Sequence, residues 1–158
     1  MKIYLDMGVS FSLRGNNTLQ ARITLPELTG LKLSGASRGT ISGFKSAKEL
    51  ALEVSGASSL KGDIEAGDAT LNVSGASNVT LKGAARNVDL EVSGASKADL
   101  ADFAVADARV NLSGASKATV NAEGKLDVTA SGASALSYLG HPTLGNVNTS
   151  GASTIRRK

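Results

Sequence analysis

The chain has no cysteine and no tryptophan, and only two prolines and one histidine among its 158 residues. Without thiols there can be no disulfide and no thiolate metal site. Compartment stays open, because cysteine-free chains occur in oxidising and reducing environments alike. Aromatic residues make up 3% of the chain, so a core must be built from Leu, Val, Ile and Ala. No stretch is long and apolar enough for a membrane-spanning helix. No apolar run follows Lys2, so the opening Met1-Lys2-Ile3-Tyr4-Leu5-Asp6 is not a signal peptide. Charge of one sign is not in large excess either: 17 cations face 14 anions, a net of +3. The one cationic run, Arg156-Arg157-Lys158, reads as a solvated chain end. With no stripe of Lys and Arg interleaved with aromatics, nucleic acid is not an expected partner.

What the chain does have is glycine, 18 of them, and an apolar content of 41%, too high for a disordered polyelectrolyte. It also has a repeat. Ser-Gly-Ala-Ser begins at Ser34, Ser55, Ser74, Ser93, Ser113, Ser131 and Ser150, in steps of 21, 19, 19, 20, 18 and 19 residues. The flanks repeat as well. Leu50-Ala51-Leu52-Glu53-Val54, Val88-Asp89-Leu90-Glu91-Val92 and Leu126-Asp127-Val128-Thr129-Ala130 precede three copies, and Val79-Thr80-Leu81 or Ala118-Thr119-Val120 follow others. Apolar and polar residues alternate, the period of a half-buried strand. β-Branched residues favour strand over helix.

A unit of about 19 residues cannot bury its own apolar face, whereas stacked units can. The sequence therefore predicts an all-β fold, a right-handed parallel β-helix with about 19 residues per coil. Seven coils at about 4.8 Å each give a rod on the order of 30 Å long. The expected organisation is a single solenoid domain over 1–158, with irregular first coil or coils in 1–33 and seven marked coils in 34–158. A leucine-rich repeat has a similar period, but it needs Asn at a fixed ladder position. Asn72, Asn111 and Asn148 share that slot with Glu53 and Glu91.

The tetrapeptide is expected to be a folding element, a corner between two strands. Its marker residues are Ser34 and Gly35, Ser55 and Gly56, Ser74 and Gly75, Ser93 and Gly94, Ser113 and Gly114, Ser131 and Gly132, and Ser150 and Gly151. Counting alternation straight through the corner puts Leu90, Val92, Gly94, Ser96 and Ala98 on the inner side. A kink would instead turn Ala95 inward and both serines outward. An inward second serine needs a partner, since an unpaired buried hydroxyl costs about 1–3 kcal/mol. Backbone groups at the bend are the expected partners.

No catalytic residue, cofactor site or metal site is expected. Repeated Ser-Gly-Ala-Ser does not supply the Gly-x-Ser-x-Gly elbow, and the only histidine, His141, lies in a turn. Carbohydrate lyases and hydrolases on β-solenoids gather acids and bases on one face. Here Asp63, Asp68, Asp89, Asp99, Asp102, Asp107 and Asp127 are scattered over different repeat positions. Asp99 and Asp102 could be neighbours, and they are the pair a carbohydrate-active enzyme would use. Lys97 and Lys117 are expected to stack in adjacent coils and attract anions weakly. A flat threonine array of the ice-binding kind is absent, because Lys61 and Asp99 interrupt Thr40, Thr80 and Thr119.

In the first 33 residues Val9-Ser10-Phe11-Ser12-Leu13 alternates like a strand, Gly15-Asn16-Asn17 reads as a turn, and residues 21–26 as an extended stretch. At the other end the charged tail is expected to discourage edge pairing. The N-terminal end has no such stopper, so further coils or a partner chain could cover it.

The run Ile23-Thr24-Leu25-Pro26-Glu27-Leu28-Thr29-Gly30-Leu31-Lys32-Leu33-Ser34-Gly35-Ala36-Ser37, the recurring tetrapeptide, and the late turn Tyr138-Leu139-Gly140-His141-Pro142 resemble a bacterial family. That family is named putative auto-transporter adhesin, head GIN domain, and the resemblance covers nearly the whole chain. It implies a right-handed β-helix from envelope or exported proteins, with no established catalytic residues. Family members usually carry a leader and an earlier β-rich segment, so the chain is expected to begin inside the domain. The function expected is a non-enzymatic structural or adhesive module of a cell-envelope or surface protein, with surface polysaccharide or protein as partner. The alternatives are a homo-oligomer assembling through its open N-terminal coil and, behind that, a carbohydrate-active enzyme.

Overall fold

The computed structural model describes the backbone of Lys2–Leu5 and Val9–Ser12, and residues 23, 24 and 26–158 in full. All regular structure among them is β. The strands are β1 (Lys2–Leu5), β2 (Val9–Ser12), β3 (Gly30–Leu33), β4 (Arg38–Lys45), β5 (Leu50–Val54), β6 (Ser59–Val73), β7 (Asn78–Val92), β8 (Lys97–Leu112), β9 (Lys117–Ala122), β10 (Lys125–Ala130), β11 (Ala135–Leu139), β12 (Thr143–Thr149) and β13 (Thr154–Arg157).

From β3 onward every pairing is parallel and joins a segment to its counterpart one repeat away, so the chain is a β-solenoid. Two flanks build each coil. The pre-corner flank stacks β3, β5, the last parts of β6, β7 and β8, then β10 and β12. The post-corner flank stacks β4, the first parts of β6, β7 and β8, then β9, β11 and β13. The long strands β6, β7 and β8 run from one flank to the other without a break.

Alternation makes the core. In β7, Val79, Leu81, Ala85, Val88, Leu90 and Val92 are buried, with polar residues between them. Register then turns each inward position into a column. Leu52, Leu71, Leu90, Val110 and Val128 form one, and Leu60, Val79, Ala98, Ala118 and Leu136 another. Both flanks contribute to a single apolar cluster. Burying one such Leu contributes about 1.5–3 kcal/mol. Phe103 is the one fully buried aromatic among the described residues.

The unequal repeat lengths are absorbed away from the corners. Between Thr80 and Lys82 the pairing partner advances from Asp99 to Asp102, so Ala101 lies within a bulge of β8. Gly43, at φ 76°, is the extra residue of another bulge, in β4 between Ser42 and Phe44. A bulge adds a residue without changing which side chains face inward beyond it.

The two ends differ. β1 pairs antiparallel with β3, and β2 pairs antiparallel with β1, so an antiparallel hairpin covers the pre-corner edge of the first coil. On the post-corner side β4 pairs only with β6 among the described residues. Val9–Ser12 forms the expected strand. The expected turn at Gly15-Asn16-Asn17 lies outside the described residues, as do Leu13, Ala21, Arg22 and Leu25; Ile23, Thr24 and Pro26 are not in a strand. At the C-terminal end β12 and β13 pair only with β10 and β11 among the described residues. Leu144 and Val147, in register with core residues Leu126 and Val128, are 46% and 43% exposed.

Candidate functional site: the corners and the two outer flanks

The seven tetrapeptides stand in one row. Each corner alanine donates its N–H to the glycine carbonyl one coil back: Ala57 to Gly35, Ala76 to Gly56, Ala95 to Gly75, Ala115 to Gly94, Ala133 to Gly114 and Ala152 to Gly132, all at 2.7–2.8 Å. Ser34, Ser55, Ser74, Ser93, Ser113, Ser131 and Ser150 lead into the bend; the N–H of Ser55 and of each later one bonds the last strand carbonyl of the coil before.

The straight-through count fails at the glycine. Gly35, Gly56, Gly75, Gly94, Gly114, Gly132 and Gly151 are exposed rather than inward, with φ between 70° and 82°. Left-handed backbone turns the chain there, so two consecutive residues, Gly and Ala, face outward before alternation resumes. Glycine is required for that φ and for stacking. A Cβ on Gly94 would lie 2.5 Å from the carbonyl oxygen of Gly75.

The second serine does point inward: Ser37, Ser58, Ser77, Ser96, Ser116 and Ser134 are buried. Backbone groups satisfy it. Ser77 Oγ donates to the Gly56 carbonyl and accepts from the Ser58 N–H, both at 3.4 Å. Ser58 relates to Gly35 and Ser37 in the same way. Ser37, Ser134 and Ser153 donate to the first serine carbonyl of their own corner, at 2.7–2.9 Å. One hydroxyl–hydroxyl contact occurs, Ser116 to Ser134 at 3.3 Å. Among the described residues no buried side-chain polar atom lacks a partner. Ser58 and Ser77 thus act as bridges between coils.

Of the aspartates named above, Asp68, Asp99, Asp102, Asp107 and Asp127 are engaged, while Asp63 and Asp89 form no ion pair among the described residues. Asp99 pairs with Lys97 at 3.8 Å, and Asp102 with Lys82 at 3.2 Å, all on the surface. A shallow groove on the pre-corner flank is lined in part by Asn87, Asp89, Asp107, Arg109, Lys125 and Asp127. Asp107 accepts the Lys125 N–H and Asp127 the Asn146 N–H, both at 2.7 Å, so each ties its coil to the next. The ammonium of Lys125, 2.8 Å away, and then the Asn146 N–H hold Asp127 below its ordinary carboxylate pKa. Arg86 grips Asp68 through two bonds, at 2.9 and 3.1 Å, and lowers its pKa. Glu27 is lowered by Lys48 and Ser46. His141 is exposed, with Nδ1 3.8 Å from Glu123.

The outer positions differ in sign between flanks, which repeat counting did not foresee. On the post-corner strands Arg38, Lys45, Lys61, Lys82, Lys97, Lys117, Arg156 and Arg157 face outward against Asp63, Glu65, Asp99 and Asp102. On the pre-corner strands Glu53, Asp68, Asp89, Glu91, Asp107 and Asp127 stand against Lys32, Arg86, Arg109 and Lys125. Lys97 and Lys117 are directly in register. The signal was available once residues were sorted by strand: one flank is the column set after each tetrapeptide, the other the set before it.

The model of one protein family, described as putative auto-transporter adhesin, head GIN domain, matches residues 1–142. The chain belongs to that family. No curated protein and no solved structure matches it. The head GIN description and the solenoid are consistent with a non-enzymatic structural or adhesive module, and the family's description points to a surface or exported location. Among the described residues no helix is long and apolar enough to cross a membrane.

Proposed function

We propose that this head GIN domain is a non-enzymatic adhesive module of a bacterial cell envelope, presenting rigid β-flanks to surface polysaccharide or protein. One observation carries the reading: seven corners in one register produce two long, regular polar surfaces over a continuous aliphatic core. Ser58, Ser77, Asp107 and Asp127 hold coil to coil, and Asp68, Asp99 and Asp102 form surface ion pairs. A rigid outer surface suits binding, because it loses little conformational freedom on contact. Protease shaving of intact cells, followed by binding of the purified domain to washed cells, tests it. The expectation is removal from the cell surface by protease and saturable binding. Detection only in cytosol, with no binding, contradicts it.

A second reading, end-to-end assembly, is favoured by apolar side chains exposed on the last described coil. Leu144 and Val147 lie exposed on β12, a strand without charge. Sedimentation across a concentration series should show an association that Leu144→Lys abolishes; a monomer at all concentrations removes this reading.

A further inference from the structure

The sign difference between flanks exceeds what solubility requires, since mixed charge on both would serve equally. On the post-corner flank Arg38, Lys61, Lys82, Lys97 and Lys117 supply one cation in each of five successive coils. Lys82 and Lys97 are shared with Asp102 and Asp99 in loose, exposed pairs at 3.2 and 3.8 Å. Arg38, Lys61 and Lys117 have no carboxylate partner among the described residues. Each is exposed.

We infer that the post-corner flank binds an anionic polysaccharide laid along the solenoid axis, its acidic groups meeting cations coil by coil. This rests on the adhesive reading above. Arg38, Lys97 and Lys117 stand in one register column, with Lys61 two and Lys82 four residues further along their strands, so the cations form a band that rises about 4.8 Å per coil. Between the cations lie Thr40, Ser59, Asn78, Thr80 and Thr119, small donors and acceptors suited to sugar hydroxyls. Asp63, Asp99 and Asp102 on the same flank would accept from those hydroxyls and repel a densely charged phosphate backbone. Among the described residues the outward positions hold no aromatic side chain for stacking bases, because Phe44, Phe103 and Tyr138 pack on or in the core. These features favour a polymer with one carboxylate per sugar over nucleic acid.

The test measures binding of the whole chain to polygalacturonate, to dextran of matched size and to double-stranded DNA. Polygalacturonate is expected to bind at 50 mM NaCl and to weaken at least tenfold at 500 mM, since surface attraction is screened. Replacing Arg38, Lys61 and Lys117 together by Gln should weaken it at least tenfold with an unchanged melting temperature. Asp89→Asn with Glu91→Gln, on the other flank, should leave binding at least as tight. Equal binding of the triple variant, equal binding of dextran, or tighter binding of DNA would each overturn the inference. Binding to washed cells with none to polygalacturonate also overturns it, while leaving the adhesive reading intact. A protein that binds polygalacturonate but is confined to cytosol sinks the adhesive reading instead.

Discussion

At the scale of the residue, two positions of the tetrapeptide have separate physical tasks. Glycine supplies a left-handed φ and clears the carbonyl one coil back. Gly94→Val meets both constraints: strained backbone costs about 1–3 kcal/mol, and the clash with Gly75 adds to it. Lys97→Val, three residues on and exposed, should change stability by no more than about 0.5 kcal/mol. Thermal melts of the two variants check this, and equal melting temperatures would contradict it. The second serine bridges coils through its hydroxyl. Ser77→Ala leaves the buried Ser58 N–H and one lone pair of Gly56 without that partner, at a cost of about 1–3 kcal/mol. Urea denaturation should show the loss with an unchanged slope. The count by twos reads Ser96 correctly and Gly94 wrongly, because alternation carries no information about a positive φ. Glycine in a fixed place was the available sign of it.

At the scale of the element, strand identity was legible because segments such as Leu90-Glu91-Val92 alternate, with Ala51 an exposed apolar exception. The antiparallel pairing of β1 and β2 was not, since those strands alternate like any others and carry no tetrapeptide to mark direction. Bulges were visible only as steps of 21 and 20 residues, with nothing in the residues to place them. Register makes a sharp prediction. An alanine inserted after Ala101, where β8 already bulges, should lower the melting temperature by no more than a few degrees. The same insertion after Val110 reverses the facing of Asn111 and Leu112 before the next corner. It buries an amide and exposes a core leucine, so it should cost several kcal/mol. Circular dichroism melts of both variants test this; similar losses would show that spacing is not absorbed at the bulge.

At the scale of the whole molecule, fold and family were legible, while the charge difference between flanks emerged only when the columns were laid side by side. Surface ion pairs contribute little here. Asp68, Asp127 and Glu27 have pKa values lowered on folding, by Arg86, Lys125 and Lys48 respectively. A lowered value means the unfolded chain takes up protons first as pH falls. The stability these groups add is therefore complete above their unfolded pKa values near 4, and is lost as pH drops through the lower folded ones. Calorimetry should give a melting temperature flat from about pH 5 to 8 and falling below about pH 4. A fall between pH 7 and 5 would contradict that assignment. Lys45, whose pKa Glu65 raises, loses its contribution only at strongly alkaline pH.

The central claim is that successive coils lie in register, corner upon corner, and a chain without cysteine allows a clean test. Ala76 and Ala95 are exposed corner residues in adjacent coils, with Cα atoms about 4.8 Å apart by strand spacing, within disulfide range. Ala57 and Ala95 are two coils apart, about 9.6 Å by the same spacing, and beyond it. Under mild oxidation the Ala76→Cys, Ala95→Cys variant should form an intramolecular disulfide nearly completely, and the Ala57→Cys, Ala95→Cys variant should not. Failure of the first pair to close, or equal closure of the second, would contradict the stacked-corner structure.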